Sequence, residues 1–319
     1  MTTIHPLSPE DAPAVAAFRL AASAHKGERL GPEARPMFDA MFAATLAAAD
    51  VRVEAGTVGG IAGFWLRPAN ARSGARMLYI HGGGYVLGSA QGLSHFAGQI
   101  AAHAGVDAFV PDYRLAPEHP FPAAIDDVVA VYHSLVADGT ERIVVAGDSA
   151  GGGLTLALLS FLADDTTRGL VQPVGAAVMS PWTDLALTGE SYQTRAEADP
   201  IFTRDVLAAF ADMYLQGQDA TNPKASPLYA PVNGLPPLRI DVGDNEVLLS
   251  DSIRYAERAQ ASGVEITLSI WEGMAHVFQS SLGQFVAAEQ SVNAIGEFLR
   301  QRLDTPAIDA IPSNPIKGA

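Results

Sequence analysis

The stretch that most constrains this chain is Ile143-Val144-Val145-Ala146-Gly147-Asp148-Ser149-Ala150-Gly151. The apolar run reads as a buried strand, and the small-residue segment Gly152 to Ser160 reads as a helix. Between them lies Gly-x-Ser-x-Gly. A strand that becomes a helix within so few residues must turn sharply. Glycine two positions either side of the serine allows strand and helix to approach that closely. The serine hydroxyl is pushed clear of its neighbours, where it can serve as a nucleophile.

A second glycine cluster, His81-Gly82-Gly83-Gly84, follows another apolar run, Met77-Leu78-Tyr79-Ile80. Its backbone N–H groups are unshielded by side chains and can point at one oxygen, stabilising the charge of a tetrahedral intermediate. A phosphate loop would carry Gly-x-Gly-x-x-Gly, or Gly-Lys-Ser/Thr at a helix start, and neither stands here. Gly-x-Ser-x-Gly together with an HGGG-type loop is a general signature of α/β-hydrolase architecture.

A serine hydroxyl needs a base, and imidazole titrates in the right range. Of the eight histidines, His276 follows the last strand-like segment, Glu265–Trp271, in the chain order serine, acid, histidine of that architecture. His81 reads as a brace for the glycine loop. His5, His25, His95, His103, His119 and His133 lie in polar or helical contexts and read as structural. The acid lies in or after Leu238–Val242, where Asp241, Asp244, Glu246 and Asp251 stand. Asp241 alternates with apolar neighbours and is expected to face away. Asp251 is placed to cap the next helix. Asp244 and Glu246 remain, Asp244 also suiting an Asx-turn beside Gly243.

Taken together, HGGG, Gly147-Asp148-Ser149-Ala150-Gly151-Gly152, the linking segment Asp112 to Pro122, Ser180-Pro181-Trp182-Thr183-Asp184-Leu185 and Ala198-Asp199-Pro200 resemble the bacterial hormone-sensitive-lipase-like carboxylesterases. The resemblance covers nearly the whole chain. It implies an α/β-hydrolase fold with a helical cap, and ester hydrolysis without a cofactor. In the usual family pattern the acid opens an Asp-Pro-Leu stretch. That position here reads Glu246-Val247-Leu248, which resembles a subgroup in which glutamate serves.

The implied mechanism is two-step acyl transfer. Ser149 is the nucleophile, His276 the base, Glu246 the acid that orients it, and the N–H groups of Gly83, Gly84 and Ala150 the oxyanion donors. Asp148 is expected to brace the surrounding loops. Trp182, Val277 and Phe278, near site elements in sequence, are candidates to line the acyl pocket. Lactone or acetyl-amide hydrolysis would use the same triad. A non-catalytic small-molecule receptor on this fold, as in the gibberellin receptors, would lack a working triad, whereas serine, histidine and carboxylate are all present.

A net charge of −15 disfavours nucleic acid and anionic membrane surfaces as partners. With no cysteine there is neither a disulfide framework nor a thiolate metal site, and no His-Glu-x-x-His suggests zinc. The first residues carry no basic n-region and apolar core, so no signal peptide and a cytoplasmic location are expected. No apolar run is long enough to span a bilayer.

Eight strand-like runs can be read: Val51–Val58, Ile61–Arg67, Met77–Ile80, Ala108–Pro111, Ile143–Ala146, Val174–Met179, Leu238–Val242 and Glu265–Trp271. Helical stretches such as Ala124–Ala137 and Ile253–Ala261 separate the later ones, which predicts a mostly parallel sheet flanked by helices. Gly59-Gly60 predicts an antiparallel hairpin of the first two. Residues 1–50, alanine-rich, are expected to be cap helices preceding any strand, and 185–225 a cap insertion. The core then comprises 51–184 and 226–303, and 304–319 a loosely ordered tail. An edge position expected for the last strand, with the family resemblance, would suit a homodimer.

Overall fold

The computed structural model describes residues 1–164 and 171–304, so the expected tail after Asp304 lies outside the described residues. Nine strands form one sheet: β1 (Thr2–His5), β2 (Val51–Val58), β3 (Ile61–Pro68), β4 (Ala75–Ile80), β5 (Asp107–Pro111), β6 (Arg142–Asp148), β7 (Gly175–Met179), β8 (Leu238–Gly243) and β9 (Ile266–Trp271). Their spatial order is β1-β9-β8-β7-β6-β4-β5-β3-β2. β2 and β3 pair antiparallel, as Gly59-Gly60 predicts, and β3 pairs antiparallel with β5. Every other pairing is parallel.

Period-two alternation along the central strands divides the core into two layers. Ile143 and Val145 of β6, with Leu78 and Ile80 of β4, join one cluster together with α4 (Ala123–Ala137), α5 (Ser149–Ala163) and α8 (Leu249–Ala261). Val144, Ala146, Met77 and Tyr79 join the other, against α3 (Ser94–Ala104) and α9 (Val286–Asp304). Both faces are covered, so the strands tolerate unbroken apolar runs.

Two expectations are corrected at the N-terminus. The sheet has a ninth strand, because Thr2–His5 pairs parallel with Leu268–Trp271 of β9. The edge position expected for the last strand is therefore taken by β1, and β9 lies inside the sheet. Strand β1 is short, and its Ile4 is 61% exposed, so it lacks the buried apolar pattern that marks the other strands. The stacking of His5 on Trp271, with ring centroids 3.9 Å apart, and the Glu272 N–H bond to His5 O hold it in place.

The N-terminal segment carries α1 (Ala12–Ser23) and α2 (Arg35–Ala43), and the long β7–β8 connection carries α6 (Ser191–Thr194) and α7 (Arg204–Leu215). The two segments touch: Lys26 Nζ donates to Ala196 O at 2.6 Å. Helix α7 turns Val206, Leu207, Phe210, Ala211 and Tyr214 into the core cluster beside the sheet.

Candidate active site

Ser149, the glycine loop, Glu246 and His276 all follow the carboxyl ends of parallel strands, where open α/β sheets place their ligand crevice. Strand β6 runs directly into α5, and Ser149 sits at the junction with φ of +52°. A left-handed conformation in a non-glycine residue is strained and persists where packing enforces it. The flanking glycines are sterically required. A Cβ on Gly151 would lie 2.1 Å from Ile80 O, and one on Gly147 2.6 Å from Gly151 O.

The glycine loop after β4 presses on the same turn: a Cβ on Gly82 would come within 3.1 Å of Ser149 Cβ. Gly82 N–H is committed to Asp148 Oδ1 at 3.1 Å, and Tyr79 donates to the same oxygen at 2.7 Å. Asp148 thus braces the loop against the turn. The N–H groups of Gly83 and Gly84 have no hydrogen-bond acceptor among the described residues. Ala150 N–H lies in the first turn of α5, where no intrahelical partner exists. Gly83 and Gly84 have φ of +116° and +61°, and a Cβ on Gly83 would meet Leu87 O at 2.2 Å. His81 braces the loop as expected: its Nδ1 lies 2.8 Å from Gly82 O, its ring stacks on Tyr113, and Tyr113 donates to His81 O. Arg35 of α2 supports the loop from behind, donating to Val86 O and Ala116 O.

His276, in the loop after β9, faces Glu246, in the loop after β8, with Nδ1 to Oε2 at 3.4 Å. Glu246 is wholly buried, and the His276 side chain is 7% exposed. The separation is longer than an ordinary hydrogen bond, as catalytic contacts often are before substrate binds. Burial alone would lower the imidazole pKa. The charge and contact of Glu246, with Asp199 and Asp148 behind, outweigh it and hold the pKa above its usual 6.5.

Of the remaining carboxylates, Asp241 faces away as expected, bonded to Arg239, Trp271 and Ser291. Asp251 differs from expectation. It does not cap α8 but accepts from the N–H groups of Thr183 and Asp184, each at 2.9 Å. Asp244 forms no Asx-turn. Its Oδ1 accepts from Gly273 N–H at 2.7 Å and so steadies the start of the histidine loop.

The pocket-lining candidates fall differently. Trp182 is fully enclosed against Tyr85, and its backbone N–H donates to Ser149 O at 3.0 Å. Val277 packs in the core layer with α3 and α9, and its N–H donates to Ser180 Oγ at 3.1 Å. Phe278 packs on Trp271 beside Val15 and Phe285, in a cluster of its own. All three are at most 4% exposed, so they support the site's frame instead of presenting a lining surface.

Sequence reasoning assigned no role to Ser180, Asp199, Phe202 or Phe210. Ser180 follows β7 directly, with φ of +46°, and donates to Glu246 Oε2 at 2.8 Å. Its sequence signals were its position, immediately after a strand whose neighbours carry the site, and its place at the head of the Ser180-Pro181-Trp182 motif. Asp199 accepts from Val247 N–H, Phe202 packs edge-on to His276 at 5.0 Å, and the Phe210 ring lies 2.9 Å from a Cβ built on Gly84. Asp199 stands in the Ala198-Asp199-Pro200 motif, which by itself gave it no role, and no local pattern marks Phe202 or Phe210.

This combination defines the α/β-hydrolase class, and the family model described as the alpha/beta hydrolase fold matches residues 77–280. The chain belongs to the α/β-hydrolase family, in its bacterial hormone-sensitive-lipase-like branch. It is 39% identical over 246 residues to an acetyl-hydrolase of Streptomyces hygroscopicus, covering 76% of this chain and 81% of that one. Among solved structures, an esterase from the bacterial hormone-sensitive lipase family is 38% identical, with a TM-score of 0.85 over 93% of this chain and 99% of its own. EstE5, in a crystal soaked with p-nitrophenyl butyrate, is 39% identical, with a TM-score of 0.85 over 92% of this chain and 99% of its own.

Proposed function

We propose that this chain is a serine carboxylesterase acting on short- to medium-chain acyl esters through an acyl-enzyme intermediate. The observation that carries this reading is the strained Ser149, packed against a glycine loop with two uncommitted N–H groups, together with the buried Glu246–His276 pair.

Ser149 Oγ attacks the ester carbonyl as neutral His276 takes its proton. The carbonyl oxygen gains negative charge facing the N–H groups of Gly83, Gly84 and Ala150. Glu246 orients the imidazole and supports its positive charge. The tetrahedral intermediate collapses, the proton passes from His276 to the departing alkoxide, and the alcohol leaves. Water, losing its proton to His276, then attacks the acyl-enzyme. The carboxylic acid departs as the proton returns to Ser149.

The N-terminal helices and the 185–225 insertion are read as the cap. The rings of Phe202 and Phe210 bring that cap close to His276 and Gly84, which favours short acyl groups. The name of the Streptomyces relative and the butyryl ester soaked into EstE5 agree with that size.

The test is Ser149→Ala assayed on p-nitrophenyl esters, with labelling of the wild-type chain by a fluorophosphonate. Loss of at least about 10³-fold in kcat/KM and of labelling is expected, with kcat/KM in the wild type peaking at roughly C4 to C8. Near-wild-type turnover without Ser149 overturns the mechanism. Highest activity on long-chain emulsions overturns the acyl-size reading.

A further inference from the structure

Asp199 lies in the insertion between β7 and β8, is fully buried, and has no cationic side chain among its hydrogen-bond partners in the described residues. Its two oxygens have different tasks. Oδ1 accepts from Ile201 N–H at 2.7 Å and Phe202 N–H at 2.8 Å, fixing the loop that leads into α7. Oδ2 accepts from Val247 N–H at 2.8 Å, across 48 residues, and Val247 is the residue after Glu246. Burial pushes the carboxyl pKa up, and the three N–H donors, with the nearby His276 imidazole, pull against that shift. Phe202, fixed from one oxygen, packs edge-on to the His276 ring with centroids 5.0 Å apart. Glu246, fixed through its neighbour from the other oxygen, faces Nδ1 of the same ring.

We propose that Asp199 is a positioning residue of the hydrolytic site, joining the insertion to the acid loop so that Phe202 and Glu246 are both held against the His276 ring. The inference rests on the reading of Ser149, Glu246 and His276 as the working triad. A helix cap or loop brace would need only the Oδ1 bonds. The second oxygen spans to the acid loop, and the buried charge stands near an imidazole that becomes cationic during each half-reaction. The anionic groups facing that ring are Glu246 from the β8 loop, Asp199 from the insertion and Asp148 from the end of β6.

Asp199→Asn separates the two tasks. The amide oxygen can still accept from Ile201 and Phe202, while an NH2 group replaces Oδ2 and cannot accept from Val247. The full chain is assayed on p-nitrophenyl acetate across pH, with thermal melting alongside. The expected result is a fall in kcat of about ten- to a hundredfold, KM within about threefold, and an acid limb moved to lower pH. An unmoved acid limb, or kcat within about twofold of wild type, overturns the proposal. If Asp199→Asn does not fold, Phe202→Leu keeps the carboxylate and removes the ring contact. It should lower kcat about threefold or more with KM little changed, and an unchanged kcat overturns the proposal. Ser149→Ala run in parallel separates the two readings: a still-active Ser149→Ala refutes the triad, whereas an inactive one beside a wild-type-like Asp199→Asn refutes only the role of Asp199.

Discussion

Ser180 Oγ donates to Glu246 Oε2 at 2.8 Å while accepting from the backbone N–H of Val277 at 3.1 Å. One hydroxyl thus ties the acid to the residue that follows His276. The strain at Ser180, whose φ is +46°, has a role if the turn delivers that hydroxyl between the two loops. Ser180→Ala should leave Glu246 with fewer constraints, lowering kcat on p-nitrophenyl acetate roughly three- to thirtyfold with KM little changed. Unaltered kcat in a folded variant would show that the bridge is dispensable.

The assignment of the acid yields a ranking. Glu246 faces His276, whereas Asp244 binds Gly273 N–H through Oδ1, a bond an asparagine oxygen can keep. Glu246→Gln should lose at least about 10²-fold in kcat and Asp244→Asn less than about tenfold. Both should melt within a few degrees of wild type. The reverse order would move the triad acid to Asp244.

The pH profile follows from the raised pKa of His276. The base must be neutral, so log kcat/KM should fall with unit slope below a pKa higher than 6.5 and be level above it. Replacing Glu246 by Gln removes the largest upward influence and leaves burial, so the residual activity should show its acid limb at lower pH. A limb that stays in place in that variant would detach Glu246 from the titration.

The glycine loop can be tested at Gly83, whose φ of +116° and 2.2 Å approach to Leu87 O exclude a side chain. Gly83→Ala should displace the N–H and lower kcat by on the order of 10²-fold. Circular dichroism and melting would establish that the fold persists, and full kcat in such a variant would remove Gly83 from the oxyanion donors.

Local chemistry determined a great deal by itself. Apolar runs marked eight strands, and the motifs that follow three of them, Gly-x-Ser-x-Gly, His-Gly-Gly-Gly and the loop of His276, located the serine, glycine loop and histidine, because each signal lies within a few residues. The resemblance of those motifs to a known family added Glu246. Tertiary structure decided what no short window contains. Strand β1 is too short and exposed to carry a buried pattern, and it exists because β9 offers a free edge and Trp271 a stacking face for His5. Trp182, Val277 and Phe278 proved to be packed into the frame, since nearness in sequence does not set which way a side chain faces. The bonds of Ser180 to Glu246 and of Asp199 to Val247 span 66 and 48 residues. A buried carboxylate takes whatever donors the folded chain brings to it, so its partners follow from packing and cannot be read from its neighbours in sequence.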